Sequence, residues 1–192
     1  MFAYLEGDLT HKSPSLLYLL AGGIGYEVNI TLQTFSKIQH LEKCRLYTHL
    51  QIREDAWVLY GFADEQERTT FRLLLGISGV GAATARIILS SLTPEELERA
   101  VAQEDSIALE RVKGIGAKTA QRIILELKGK LFNKKNTGTI SLPVHNTTTE
   151  DALIALVNLG IARTAAETAI RKIKDAATLS VEELIKQALR AL

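Results

Sequence analysis

Two short glycine-centred corners hold the residues of this chain best suited to chemistry. They read Ile77-Ser-Gly-Val-Gly-Ala82 and Val112-Lys-Gly-Ile-Gly-Ala117, with Gly79 and Gly114 standing 35 residues apart. Each follows an apolar helical run and opens another. Downstream, Thr84-Ala85-Arg86-Ile87-Ile88-Leu89 lines up with Thr119-Ala120-Gln121-Arg122-Ile123-Ile124, with a one-residue slip after the alanine. A repeat at fixed spacing takes precedence over other readings of a sequence. Glycine at Gly79, Gly81, Gly114 and Gly116 is expected to take φ angles that other residues avoid, and lets the backbone approach a ligand closely. A glycine turn that runs into a helix N-terminus leaves backbone N–H groups without an intrahelical partner. With the helix dipole behind them, such donors suit an anion, and phosphate above all.

Two corners of this kind hold two phosphates of one duplex without touching a base. A hydrophobe-x-Gly-hydrophobe-Gly run, then Ala and an aliphatic helix, resembles the helix-hairpin-helix DNA-binding motif. The competing reading is a pair of helix–turn–helix corners with glycine stops, packed only against each other. The tandem arrangement, with the same flanks twice, favours phosphate binding.

The elements that position these corners follow from composition and periodicity. Hydrophobic residues make up 46% of the chain and charged residues 23%, the balance of a globular protein. No apolar run has the length of a membrane span, and the N-terminus does not read as a signal peptide. Cys44 is the single cysteine, which excludes a disulfide framework and a cysteine-based zinc site. The histidines His11, His40, His49 and His145 lack ligand spacing, so neither metal nor cofactor is expected. A reducing, cytoplasmic setting is the plain expectation. The formal net charge is only +1, but residues 105–135 carry eight Lys/Arg against Asp105, Glu110 and Glu126. A localised basic face of this kind is the footprint of a nucleic-acid site.

Along the chain, residues 1–63 read as a β domain. Tyr26, Val28, Ile30 and Leu32 alternate with polar residues, the period of a half-buried strand. Phe2–Leu9, Leu16–Ala21, Cys44–Ile52 and Ala56–Phe62 flank it, separated by turn residues such as Gly22-Gly23. About five short strands suit a small barrel; the oligonucleotide-binding (OB) type is favoured, with an SH3-like barrel close behind. Arg53-Glu54-Asp55 falls at a tight turn. Its carboxylates suit either a solvated hairpin tip or a magnesium ligand pair, though no third acidic residue lies nearby in sequence. Residues 64–132 read as helical around the two corners, with Thr93 as an N-cap and Pro94 at the first helical position. Residues 133–148 are polar, glycine-containing and aperiodic, the composition of a flexible linker. Residues 149–192 show three helical patterns, and Ser180-Val-Glu-Glu183 fits a capping box. This tethered end reads as a protein-docking module, or as a small stabilising appendage. The fold class expected is therefore α+β.

Several chemistries are excluded. Gly114-Ile-Gly-Ala-Lys-Thr119 is not a P-loop, because Ala117 separates Gly116 from Lys118 and no strand precedes it. Neither corner has the third glycine of a dinucleotide fingerprint, and no Ser/His/Asp set, Cys/His pair or HExxH motif is visible. Any ATP-driven work on DNA falls to a partner. The rival classes are a structure-specific nuclease or glycosylase using the corners for docking, and a purely structural adaptor.

The barrel, tandem corners, linker and helical end together resemble the RuvA family, the Holliday-junction-binding subunits of bacterial branch-migration complexes. The resemblance covers essentially the whole chain. Its most specific segments are Thr48-His-Leu-Gln-Ile-Arg-Glu-Asp-Ala56, Leu59-Tyr-Gly-Phe62, Gln66-Glu-Arg68 and Gly22-Gly-Ile-Gly-Tyr-Glu-Val28. It implies a homotetramer, or an octamer on DNA, holding a four-way junction without sequence preference. Glu54 and Asp55 become an acidic pin at its centre, repelling phosphates so that the strands diverge. It extends the DNA-binding set from Gly79, Val80, Gly81, Gly114, Ile115 and Gly116 to Ala83, Thr84, Lys118, Thr119 and Arg122. Ala83 stands where a lysine is frequent in the family, so the first corner is expected to rely on backbone N–H groups. The terminal module resembles the family's domain for RuvB, the hexameric ATPase motor, with Leu156, Leu159, Ile161 and Leu189 at the apolar contact positions; a core role is the competing reading for Leu156. The RuvC resolvase is a further partner the likeness implies.

Overall fold

The computed structural model describes residues 2–136, 148–173, 176 and 179–192. The chain divides into two compact units, Met1–Gly138 and Thr139–Leu192.

The first unit opens with strands β1 (Tyr4–Lys12), β2 (Leu16–Ala21) and β3 (Ile24–Asn29), helix α1 (Leu32–Ile38), and strands β4 (Lys43–Ile52) and β5 (Trp57–Phe62). The strands close into a barrel in the order β1-β2-β3-β5-β4, the five-stranded OB arrangement. Closure is by a parallel β3–β5 pair at Asn29 and Tyr60, which sets it apart from an all-antiparallel SH3-like barrel. Alternation sorts the side chains. Leu17, Leu19, Val28, Ile30 and Leu46 are buried inside, with Leu59 and Ile38 closing the core, while Tyr18 and Glu27 face out.

Two boundaries differ from the sequence expectation. β1 runs on to Lys12, past the expected Leu9, because a register shift between Leu9 and His11 lets polar residues keep the pairing with β2. The alternating run expected to reach Leu32 stops at Asn29. Thr31 instead caps α1, its hydroxyl accepting from the Thr34 amide at 3.0 Å, and Leu32 opens that helix.

From Leu59 to Phe62 β5 is buried on both faces. Leu59 points into the barrel, while Tyr60 and Phe62 join the helical core, where their rings lie 5.1 and 4.9 Å from that of Phe71. That core is built by α2 (Glu65–Leu75), α3 (Ala82–Ser91), α4 (Pro94–Ala102), α5 (Ser106–Glu110) and α6 (Ala117–Asn136). Asp64 caps α2, accepting from the Glu67 amide at 2.8 Å. Thr93 caps α4 with Pro94 at its first position, and a full capping box forms with Glu96. The last helix passes the expected end near Phe132, since Asn133 to Asn136 include no breaker and lysine sustains a helix. Of the stretch read as a linker, residues 137–147 lie outside the described residues, and Thr148 belongs to the next helix.

The second unit holds α7 (Thr148–Asn158), α8 (Arg163–Arg171) and α9 (Val181–Ala191). They pack around Ala152, Leu156, Ala166, Ala169, Ile170, Leu184 and Ala188. At its start α9 carries the forward half of a capping box, with Ser180 accepting from the Glu183 amide.

Barrel and helices in the first unit are joined by a buried carboxylate. Glu67 is 1% exposed and accepts from the hydroxyls of Thr31 and Thr34, the latter at 2.8 Å. Each hydroxyl also accepts a backbone N–H, Thr34 from Ala63 at 2.9 Å, so its one proton is available to the carboxylate. Burial pushes the Glu67 carboxyl above its usual range, while the two threonine bonds oppose that rise. The folded state therefore holds this proton more tightly than the unfolded chain. Stability from this group is greatest below the ordinary glutamate value and declines as pH rises through the window up to the raised folded value. Glu67→Gln is expected to abolish that decline, read by denaturant unfolding across pH. Glu67→Ala should cost about 1–3 kcal/mol at neutral pH by stranding both hydroxyls.

Candidate nucleic-acid interface

The two corners are built by the same hydrogen bonds. In the first, Ile77 N donates to Leu74 O and Val80 N to Ile77 O, both at 3.0 Å. In the second, Val112 N donates to Leu109 O and Ile115 N to Val112 O, again at 3.0 Å. Gly79 has φ +88° and Gly114 φ +89°, left-handed backbone where a side chain is strained. That turn carries the next residue inward, and Val80 and Ile115 are 5% and 6% exposed, packed in the shared core. Their amides close the turn and their side chains anchor it, so neither presents an amide proton or a side chain to a ligand.

The second glycine of each corner differs from expectation. Gly81 lies at φ −85°, ψ 173° as the N-cap of α3, extended backbone open to any residue, and Gly116 is likewise outside the left-handed region. A Cβ at either would meet no protein atom within 4 Å. The fold itself does not require glycine at these two positions. What they leave open is the approach from outside, beside a helix start. Gly81 has no side chain to cap α3, and the helical ladders begin only with Ala85 N to Gly81 O and Ala120 N to Gly116 O, both 2.9 Å. The amides of Ala82 to Thr84 and of Ala117 to Thr119 are thus the first-turn donors of the two helices.

Side chains around the corners are unequal. At matching places beyond them stand exposed Ala83 and Lys118, then half-buried Thr84 and Thr119. Arg122, exposed on α6, reaches back to the first corner, donating to Ser78 O at 3.3 Å and Ser78 Oγ at 3.4 Å. Lys130 donates to Gly76 O at 3.0 Å. One helix therefore holds both corners in register. Arg86 turns to the barrel, donating to Asn29 Oδ1 at 2.6 Å and Ser15 O at 3.2 Å, so it is a tether between α3 and the barrel. Lys128 pairs with Glu104 and holds that carboxyl below its usual range. Part of the basic run is thus committed internally, and Arg111, Lys113 and Lys118 remain on the exposed side. None of these internal ties has a periodic signature that the sequence could have disclosed.

Glu54 and Asp55 occupy the middle of the β4–β5 turn, which Arg53 N closes on Ala56 O at 2.9 Å. Both are exposed. No group of three or more His, Cys, Asp or Glu among the described residues is placed to hold a metal ion.

In the second unit the apolar positions separate. Leu156 is fully buried at the centre of the three-helix core. It is a packing residue, and its expected place in a docking surface is corrected accordingly, since a helix's apolar stripe does not say which member faces inward. Leu159 and Leu189 are 64% and 46% exposed, while Ile161 packs at the edge of the core. Ile154 and Val157 are also exposed on α7. The signal for them was an excess of apolar residues over what one helix face can bury.

Comparison with known proteins matches three consecutive family models. They are the RuvA N-terminal domain over residues 1–61, a SAM-like helix-hairpin-helix tandem over 71–130, and the RuvA C-terminal domain over 147–192. The chain is 47% identical over 193 residues to the Holliday junction branch migration complex subunit RuvA of Christiangramia forsetii, covering 100% of both chains. It is 43% identical to the proteins of that name from Cytophaga hutchinsonii, over 99% of each chain, and Bacteroides fragilis, over 100% of each.

The division within the second unit is testable. Leu156→Ala should destabilise it by about 2–5 kcal/mol through the cavity left behind, seen as faster amide hydrogen exchange along α7–α9 in the full chain. Leu159→Ser and Leu189→Ser should leave that exchange unchanged within about 0.5 kcal/mol.

Proposed function

The chain belongs to the RuvA family, and from that premise we propose that it binds four-way DNA junctions as a homotetramer without regard to sequence. The observation that carries the reading is the pair of equivalent corners, each with a left-handed glycine, a buried anchor and an open glycine before first-turn amides that precede the helical ladder. Groups of that kind meet phosphates, which carry no sequence information. Two corners held by one helix suit two phosphates of one duplex arm, and four chains suit four arms. Gly79, Gly81, Gly114 and Gly116 shape the approach, Ala83, Thr84 and Thr119 contribute main-chain donors, Lys118 adds charge at the second corner, and Arg122 of α6, reaching back to Ser78, adds it beside the first. Lacking a matching lysine at Ala83, the first corner contributes less to the salt dependence of binding.

Glu54 and Asp55 act without chemistry. Two carboxylates from each of four subunits near a common axis exclude phosphate from the crossover, and the strands part there into separate arms. The protein is in this reading a non-catalytic subunit of a branch-migration complex in recombination and repair. The ATP-dependent step belongs to the RuvB motor, recruited through Leu159, Leu189 and the edge of Ile161 on the second unit, and RuvC resolves the product. No helix among the described residues is long and apolar enough to cross a membrane, and the proposed site of action is the cytoplasm with the DNA.

The oligomer mass with and without a synthetic four-way junction tests the assembly: multiples of four chains are expected, and a monomer on junction DNA would contradict it. Glu54→Gln with Asp55→Asn should keep or tighten overall DNA binding while lowering the branched-to-linear affinity ratio by roughly fivefold or more, the scale of about 1 kcal/mol of repulsion per close charge pair. An unchanged ratio in a competition titration would remove the carboxylates from the mechanism. Strand cleavage of the junction in magnesium would favour a nuclease instead.

A further inference from the structure

The β4–β5 hairpin carries, directly below its acidic turn, two apolar side chains left in water. Trp57 is 77% exposed and Ile52 63%, and they face each other across the last pair of the ladder. Trp57 is the chain's single tryptophan. By the two-residue period of a strand they share a face with Leu50 and Leu59, whose side chains pack in the barrel core. The inner face of the ladder therefore continues beyond the barrel, as a flat aromatic platform backed by an aliphatic neighbour. An exposed apolar patch of this kind marks a contact surface.

The charges beside it restrict what can cover it. Arg53 adjoins Ile52, and only Ala56 separates Trp57 from Asp55 and Glu54, so the turn carries a net charge of −1 and disfavours a phosphate on the indole side. A nucleobase is not disfavoured. It is neutral, its face stacks on an indole, and its exocyclic amino group donates to a carboxylate. Bases inside a duplex are already stacked on both sides, whereas a base at a branch point loses a neighbour where the strands part.

We infer that Trp57 stacks on an unstacked nucleobase at the branch point, with Ile52 supporting the indole. The inference rests on the proposed reading that the acidic turn sits at the crossover. Negative charge then keeps the strands apart while the indole replaces the stacking that separation removes.

The test uses the full-length protein, an unmodified four-way junction and a linear duplex of the same arm sequence. Tryptophan emission, which reports Trp57 alone, should be quenched on saturation with the junction and far less with the duplex. Trp57→Ala should lower the junction-to-duplex affinity ratio about tenfold, and Trp57→Phe should restore most of it, as base–aromatic stacking predicts. Junction preference with unchanged emission would overturn the inference and leave the junction reading standing. A change in the mass of the DNA-free assembly on Trp57→Ala would overturn it too, by assigning the indole to a contact with a second copy of this chain. Absence of any junction preference in the unaltered protein would overturn both together.

Discussion

A left-handed glycine followed by a hydrophobe drawn into the core is the constraint on which the rest of the first unit depends. At Gly79 and Gly114 the backbone enters a region closed to side chains, and the side chains of Val80 and Ile115 are buried directly after it. Burial of those two anchors, about 1.5–3 kcal/mol each, fixes where the next helix begins. The helix start that follows has first-turn amides outside the helical ladder, and Ala83 and Lys118 beside them are exposed. Because both corners draw on one hydrophobic cluster, and α6 grips the first through Arg122 and Lys130, their spacing is a property of the packed core. A ligand with regularly spaced phosphates meets two sets of donors already placed, so little ordering opposes binding.

The barrel is tied to this platform at several points of different chemistry. β5 contributes to both cores at once, Arg86 reaches Asn29 and Ser15, and Glu67 gathers the hydroxyls of α1 beneath the first turn of α2. The hairpin bearing Glu54 and Asp55 is an extension of β4 and β5. Its base therefore belongs to the same packed unit as the corners, while its tip is left to solvent. Repulsive charge on a well-held hairpin is suited to shaping a polyanion rather than binding it.

Much of this was legible in the sequence wherever one residue type has one physical use. The repeated Gly-hydrophobe-Gly corners, the Thr93-Pro94 helix start and the alternation in β3 announce their own structure. Where a pattern has two uses the sequence misleads. Leu32 continues an alternating strand and also starts a helix once Thr31 caps it. The four corner glycines look equivalent, yet Gly79 and Gly114 serve the turn and Gly81 and Gly116 serve the space outside it. Leu156 and Leu159 both belong to an apolar helical run, and only packing shows the first to be core and the second surface. Long-range ties such as Arg122 to Ser78 and Glu67 to Thr31 join residues 44 and 36 positions apart. No local period encodes them.

In the proposed mode of binding, main-chain amides at the two corners meet phosphate at a distance only glycine permits. Junction binding by a Gly81→Val, Gly116→Val double variant tests it most directly, since neither position is left-handed and open space at both allows the side chain within the folded protein. The double variant should melt within a few degrees of the parent and lose more than tenfold in affinity for junction and duplex alike. Affinity equal to that of the parent, in a variant that folds, would contradict it.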